Sequence, residues 1–148
     1  MTGNEMWQSF CHAAKIDENT EHEIWKFCGG GEMGDELAKL VRDGVKTATA
    51  SAKIAYDTEG EELPGEDYNV ILFDNDEAAC VIRNTKVSVV PFDQVSAEHA
   101  YKEGEDDRSL QTWREVHRRA FTPDYEAAGL EFDEKGDCVL EEFEVVYR

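Results

Sequence analysis

The segment 44–51 combines one lysine with three short hydroxyl side chains, and these residue types can carry out acyl chemistry. Hydrolysis of an amide needs a nucleophile, a base that deprotonates it and an acid for the leaving amine. The Thr49 hydroxyl can serve as the nucleophile, and Lys46 can serve as the base where burial favours its neutral form. The alternative is a helix end followed by a surface lysine and threonine, and the spacing alone favours that alternative because short motifs are weak evidence.

The backbone conformation of this segment decides which of its side chains lie together. An extended chain places Thr47, Thr49 and Ser51 on one face, because side chains alternate along a strand. A helical chain instead brings Lys46 and Thr49 to one face. In both cases the lysine lies beside hydroxyl groups among small residues, so a ligand can approach the main chain closely.

The elements around this segment are predicted from hydrophobic spacing, helix caps and turn residues. Helices are predicted over 4–15, 34–43, 96–104 and 109–121. Strands are predicted over 24–27, 69–73, 79–83, 86–90 and 138–147, and an acidic loop over 56–68. Because helices interrupt a mainly antiparallel sheet, we predict an α+β fold with a small, partly closed antiparallel β-barrel as its core, flanked by several helices. Residues 1–148 are expected to form a single domain, with a helix over 1–16 packed on it.

Composition limits the classes of function. The chain of 148 residues has a net charge of −19, so broad binding to phosphate backbones is disfavoured and no extended duplex partner is expected. No run of 18 apolar residues and no secretory signal are present, which favours a cytoplasmic protein without a membrane partner. The four cysteines lack the spacing of a zinc site, so we expect reduced thiols, no metal and no cofactor.

Gly44, Lys46 and Thr49 resemble the G-x-K-x-x-T-x-R signature of the ASCH domain family, small proteins related to PUA RNA-binding domains. Ser51 stands where the signature has arginine. The resemblance continues through flanking segments that cover nearly the whole chain after the first 15 or so residues. These segments are 25–31, 35–41, 90–93, 97–100, 103–105, 108–110, 113–121 and 143–147.

This resemblance implies a β-barrel of PUA type with a cleft beside the signature. It also implies two kinds of activity. Some family members are amidohydrolases that remove the acyl group from N4-acetylcytidine, and their catalytic residues correspond here to Lys46, Thr49 and Glu103. Other members bind RNA or act as ribonucleases. Without the family resemblance, Glu103 would be interpreted as an ordinary carboxylate at the end of a helix.

Candidate ligand contacts follow from the missing arginine. Lys53 lies two residues beyond Ser51 and can supply a cation in its place. Arg108, Arg114 and Arg118 belong to a group of four arginines within twelve residues, a high local density of positive charge for so acidic a chain. Two interpretations of these arginines stay open, contact with the phosphate of a nucleotide or RNA strand and pairing with nearby carboxylates.

Aromatic side chains give one more candidate. Trp25, next to a run of three glycines, is the aromatic residue we expect nearest to a ligand, because bases stack on such rings. Three hypotheses therefore follow. The chain is a binding module for a nucleoside, nucleotide or short RNA, an amidohydrolase acting on N4-acylcytidine, or a ribonuclease that uses Lys46.

Overall fold

Five α-helices and five β-strands make up the computed structural model, which describes all 148 residues. In chain order the elements are α1 (Gly3–Ala14), β1 (His22–Trp25), α2 (Gly31–Arg42), β2 (Ala48–Ala52), α3 (Lys53–Glu59), β3 (Tyr68–Leu72), β4 (Ala78–Pro91), α4 (Ala97–Glu103), α5 (Leu110–Ala127) and β5 (Asp137–Tyr147). Short 3-10 turns lie over Phe27–Gly29 and Phe92–Gln94. None of the helices combines the length and the apolar composition that crossing a lipid bilayer requires.

The strands form one mixed sheet in the order β1-β3-β4-β5-β2. β1 runs parallel to β3, with Ile24 opposite Val70. β3 is antiparallel to β4, and β2 is antiparallel to β5 with Ala50 opposite Leu140. The α+β class with several helices is confirmed. The predicted antiparallel barrel is corrected in two respects: the sheet stays open, because β1 and β2 end the order without pairing to each other, and β1 adds a parallel pair.

The chain divides into two compact units. The first comprises residues 1–46, 66–85 and 143–148. In this unit α1 contributes Met6, Trp7, Phe10 and Cys11 to a cluster with Val70 and Val81 from the sheet. A second cluster joins Phe27 and the apolar face of α2 to strand residues. Its buried members are Phe27, Leu37, Ala38, Val41, Ile71, Ala79, Cys80, Ile82 and Phe143.

The second unit comprises residues 47–65 and 86–142. Its core is largely aromatic and is formed by α4, α5, the turn that follows β4 and the first half of β5. The Phe92 ring lies 5.4 Å from the Trp113 ring, with tilted planes, and 6.3 Å from Phe121 in an edge-to-face contact. Such pairs add to the stabilisation that burial of apolar area provides. This core fixes α5, which carries several of the candidate residues.

Two elements differ from the sequence prediction. The first part of the predicted 56–68 loop is helical, because α3 continues to Glu59 and ends at Gly60 with φ of 67°. An i,i+4 ion pair between Lys53 and Asp57 supports this helix despite its acidic composition. The strands predicted over 79–83 and 86–90 are one continuous strand, β4.

α5 also extends beyond its predicted end at Phe121 and includes Pro123. Proline cannot donate a hydrogen bond to the preceding turn, which is why the sequence suggests a helix end there. The residue before it, Thr122, donates its hydroxyl hydrogen to the Arg118 carbonyl at 2.6 Å. A side-chain hydrogen bond thus accompanies the continuation of the helix to Ala127.

All four cysteines are free thiols. Cys11, Cys80 and Cys138 are buried, whereas Cys28 is exposed in the turn before α2. Burial raises the pKa of Cys80 and of Cys138 to about 12. These two thiols therefore stay protonated at neutral pH and act as small apolar core residues.

Candidate functional site

β2 carries the hydroxyl residues of the signature in an extended conformation. Thr49 lies opposite Glu141 of β5, and Ser51 lies opposite Val139. The alternation of a strand therefore places these two side chains on one face. Ala48 and Ala52, at the two ends of the strand, are buried. Of the two conformations considered from sequence, the structure has the extended one.

Lys46 lies between α2 and β2, and its side chain is almost completely buried. The residue is 1% exposed, and its N–H donates to the Leu40 carbonyl at 3.0 Å. Gly44, with φ of 79°, ends the helix in a left-handed conformation that directs the chain back over the last helical turn. The Lys46 ammonium lies 5.7 Å from the centre of the Phe27 ring, so an aromatic face forms part of its surroundings.

Trp25 belongs to the same part of the first unit. Its ring packs edge-to-face on Phe27 at 4.6 Å, and its indole N–H donates to Asn69 Oδ1 at 2.8 Å. Trp25 is therefore separated from Lys46 by one aromatic ring. Its polar atom already has a protein partner, so the half-buried ring face is what it can offer to a ligand.

Glu103 is the second fully buried charged residue. It lies at the end of α4 and is 1% exposed. We call Glu103, together with the contacting side chains of His99, Trp113 and His117, the Glu103 cluster. The Trp113 indole N–H donates to Oε2 at 2.6 Å, and His99 Nε2 lies 2.7 Å from the same oxygen. His117 Nε2 lies 3.3 Å from Oε1. The cluster thus surrounds one buried carboxyl group with three nitrogen atoms.

Two helices build this cluster through i,i+4 spacing. His99 and Glu103 lie one turn apart on α4, whose N-cap is the Ser96 hydroxyl. Trp113 and His117 lie one turn apart on α5, and their rings stack at 4.2 Å. Neither His99 nor His117 was among the site residues predicted from sequence. The spacing of His99 and Glu103 was the available signal, whereas the meeting of the two helices is a tertiary feature.

A backbone contact ties the signature to α4 within the second unit. The Thr47 N–H donates to the Lys102 carbonyl at 2.8 Å, and the Thr47 hydroxyl lies 3.3 Å from the same oxygen. Lys102 directly precedes Glu103. The main chain at the start of β2 is therefore held at the end of the helix that carries the buried carboxyl group.

A cleft of about 360 Å³ lies beside Ser51 in the second unit. Alanines form much of its lining, and Phe121 and Tyr56 supply aromatic surface. Its charged residues are all acidic, namely Glu59, Glu61 and Asp124. Burial, with a contribution from the nearby Glu59 charge, raises the pKa of the Asp124 carboxyl. The position that holds arginine in the signature thus borders an acidic cleft, which disfavours phosphate there.

The cations proposed to replace that arginine have protein partners. Lys53 Nζ is 2.9 Å from the Asp57 carboxylate on α3. Arg118 is ion-paired with Glu134. Neither cation lines the cleft beside Ser51. Their contacts agree with the interpretation of these charges as structural pairs.

The remaining arginines also contact the protein. Arg114 donates to the Asp93 carbonyl at 3.1 Å. Arg108 Nε donates to the Tyr101 carbonyl at 3.0 Å, and its guanidinium lies 3.7 Å from the centre of the Tyr101 ring. These contacts fix the loop after α4 and the start of α5. A role of either residue in phosphate recognition stays a prediction.

No group of three or more histidine, cysteine, aspartate or glutamate side chains is arranged to hold a metal ion. In the Glu103 cluster each imidazole is directed at the carboxyl group. His99 is hydrogen-bonded to this carboxyl group, whereas His117 contacts it at 3.3 Å.

We expect Glu142→Gln to lower the free energy of unfolding at neutral pH by about 0.5–1 kcal/mol, the range for a partly exposed ion pair. Lys102 Nζ donates to Glu142 Oε1 at 2.6 Å, and this hydrogen bond and charge hold the pKa of Glu142 below its usual value. A lowered carboxyl pKa stabilises the fold above the unfolded value of about 4.3, and the contribution is lost as pH falls through the folded value. Urea unfolding at pH values above and below the usual carboxyl pKa measures this change in the free energy of unfolding.

Glu144→Gln, at an exposed position on the same strand, is the matched control and is expected to leave the pH dependence of stability close to that of the wild type. Parallel stability curves for Glu142→Gln and the wild type would contradict the role of the Lys102 contact.

The comparisons with known proteins agree over nearly the whole chain. The family model of the ASCH domain matches residues 23–147. The chain is similar to the crystal structure of an ASCH domain from Lactobacillus crispatus JV V101, with 32% identity and a TM-score of 0.86 over 97% of this chain and 96% of that chain. It is also similar to protein EF3133 from Enterococcus faecalis V583, with 35% identity and a TM-score of 0.85 over 98% of this chain and 88% of that chain. No curated protein matches the sequence.

Proposed function

The chain belongs to the ASCH domain family, and on this premise we propose that it binds a nucleoside-like ligand or an RNA end with Lys46 and Thr49. The family has a PUA-like fold, which is consistent with RNA binding. The observation that carries the proposal is burial. Lys46 and Glu103 are the only lysine, arginine, aspartate or glutamate residues in the buried class, and the resemblance marks both. Burying a charge is costly, so a fully buried lysine and a fully buried glutamate are unusual and favour a functional role.

The charge distribution favours a small ligand. A net charge of −19 repels a long phosphate backbone, and the cleft beside Ser51 adds carboxylates close to β2. A nucleoside, or the end of a short single strand, presents hydroxyls and a base edge with little phosphate.

A second candidate function is hydrolysis of the amide bond in an N4-acylcytidine. The Glu103 cluster favours it, because a buried carboxyl group that is hydrogen-bonded to an indole and an imidazole is of the kind that transfers protons. In this reaction the Thr49 hydroxyl attacks the acyl carbon, Lys46 accepts the hydroxyl proton, and Glu103 supplies a proton to the leaving amine. Water then releases the acyl group from Thr49 as the free acid.

Isothermal titration calorimetry tests binding. The protein is titrated separately with cytidine, N4-acetylcytidine and a short single-stranded RNA. We expect the wild type to bind at least one of these probes and Lys46→Met and Thr49→Val to bind it about 10- to 100-fold more weakly, the loss for one hydrogen bond to a charged group. Lys39→Met, at an exposed position on α2, is the matched control and should bind as the wild type does. Equal affinity of all four proteins for every probe would contradict the proposed site.

Chromatography of the same mixtures separates the candidate activities. Release of cytidine from N4-acetylcytidine by the wild type, but not by Lys46→Met, would support the amidohydrolase. Shortened RNA under the same conditions would support the ribonuclease instead. Binding without any product would leave the binding module as the function.

A further inference from the structure

We infer that the cleft beside Ser51 is a binding site for a small organic ammonium ion, a primary amine carried on an apolar body. All the residues that line the cleft belong to the second unit, and neither Lys46 nor Thr49 is among them. The inference therefore goes beyond the proposed function and does not depend on it. It rests on the shape of the cleft, on its aromatic surface and on the sign of every charge in its lining.

One strand and two helices line the cleft. β2 contributes Ala50, Ser51 and Ala52. The two helices contribute the same short pattern, an alanine and an aromatic residue followed one turn later by a carboxylate. The residues are Ala55, Tyr56 and Glu59 on α3, and Ala120, Phe121 and Asp124 on α5. Because residues three and four apart lie on one face of a helix, each helix turns a face that is both apolar and acidic towards the cleft.

The space between these helices is not filled by protein side chains. No side chain of α3 is fully buried, and the N-terminus of this helix has no side-chain cap. Alanines on both helices and on β2 leave a cleft of about 360 Å³ where larger side chains would close the contact. The aromatic and alanine surface there is open to water, so a ligand with an apolar body gains free energy by covering it.

Every charged residue in the lining is acidic. Glu59, Glu61 and Asp124 contribute carboxyl groups, and no lysine or arginine lines the cleft. Burial, followed by the charge of Glu59, raises the pKa of the Asp124 carboxyl, so its ionised form lacks a stabilising positive charge. An anionic ligand is repelled here, and a neutral apolar ligand would remove water from the carboxylates without replacing it. A cation offsets both the desolvation and the repulsion between the carboxylates.

The aromatic surface distinguishes an organic cation from a metal ion. Ca²⁺ and Mg²⁺ take about six or more oxygen ligands, and no group of acidic side chains is arranged to hold a metal ion. Tyr56 and Phe121 instead offer rings, which attract ammonium groups and pack against apolar carbon atoms. The carboxylates accept charge-assisted hydrogen bonds from N–H donors. The lining therefore matches an ammonium group attached to an apolar body.

A nuclear magnetic resonance titration of the ¹⁵N-labelled full-length protein with 2-phenylethylammonium tests the site. We expect this ion to shift the amide signals of the lining segments, 50–56, 59–61 and 120–124. We expect 2-phenylethanol, a neutral molecule of the same shape, to bind about 10-fold more weakly, because its hydrogen bonds carry no charge. Equal affinity for the two probes, or unchanged signals in these segments, would overturn the inference.

Three variants locate the binding. Asp124→Asn should weaken binding of the ammonium ion about 5- to 10-fold, the loss of one partly exposed charge-assisted contact. Glu126→Gln removes the same charge at an exposed position of α5 outside the cleft lining, and it should bind as the wild type does. Ala120→Leu keeps every charge but fills part of the cleft, and it should weaken binding by at least as much as Asp124→Asn.

Equal weakening by Glu126→Gln and Asp124→Asn would indicate general attraction to an acidic chain and would overturn the site. Unchanged affinity in Ala120→Leu would overturn it as well. Ala120 is exposed, so this variant is expected to fold.

A lysine-containing tetrapeptide, titrated in the same way, distinguishes a small molecule from a protein partner. We expect the peptide to bind no more tightly than 2-phenylethylammonium, because the cleft accepts one apolar body with its ammonium group. Binding of the peptide without binding of the free ion would overturn a small-molecule ligand. Absence of nucleoside and RNA binding would reject the proposed function alone, since its probes and its residues are different.

Discussion

Glu103→Ala is expected to lower the free energy of unfolding by about 3–5 kcal/mol, the cost of removing one partner from a buried polar network. The substitution removes the only acceptor that the structure shows for the Trp113 indole N–H, at 2.6 Å, and the carboxyl contact of His99 Nε2, at 2.7 Å. Both nitrogen atoms would lose this contact in a site where Glu103 itself is 1% exposed, and a buried donor without its acceptor lowers stability. Urea unfolding followed by far-ultraviolet circular dichroism measures the loss.

Two further variants distinguish the loss of the buried hydrogen bonds from the loss of a negative charge. Glu103→Gln keeps a carbonyl oxygen for Trp113, so we expect a loss of about 1–2 kcal/mol, close to that of one hydrogen bond. Glu98→Ala removes an exposed carboxylate from the same helix, which forms an ion pair with Lys102, and should cost less than about 1 kcal/mol. A Glu103→Ala protein as stable as Glu98→Ala would contradict the network.

The Glu103 cluster shows which contacts can be predicted from the sequence and which cannot. The family resemblance marks Glu103, and helical spacing places His99 one turn before it on α4. The approach of α5, which brings Trp113 and His117 to the same carboxyl group, depends on packing between helices. Spacing within one element is readable from sequence because it follows from helix geometry, whereas contacts between elements depend on the whole core.

The fold divides in the same way. α1, α2 and α4 were predicted within a few residues, because their caps and apolar stripes are local features. The open, mixed sheet was not predicted, because the pairing of β1 with β3 brings together Ile24 and Val70, which are far apart in the sequence. The continuity of α5 through Pro123 likewise contradicted a local rule. Local signals therefore predicted the helices well and the sheet closure poorly.

Ser51 illustrates a third limit. The sequence shows that a serine replaces the arginine of the signature, and it suggests Lys53 or the arginines near α5 as substitutes. The structure instead pairs Lys53 with Asp57 and places an acidic cleft beside Ser51. The composition of a cleft depends on residues from several elements, here α3 and α5, and no single motif reports it.

Phe10→Ala is expected to lower the free energy of unfolding by about 3–5 kcal/mol, the range for truncating a buried aromatic side chain. Phe10 is 4% exposed on α1, and its ring lies 5.4 Å from that of Tyr68 and 6.0 Å from that of Tyr147. Thermal and urea unfolding measure the loss, and Gln8→Ala on the exposed side of α1 is the matched control.

The family model begins only at residue 23, whereas α1 takes part in the core. Val70 and Val81, both 0% exposed, share a buried cluster with α1, so weakening the helix exposes strands of the sheet to water. A loss below about 1 kcal/mol in Phe10→Ala would mean that α1 is only an accessory to the first unit. The expected loss would instead make this helix, which the family model leaves out, a required part of that unit's core.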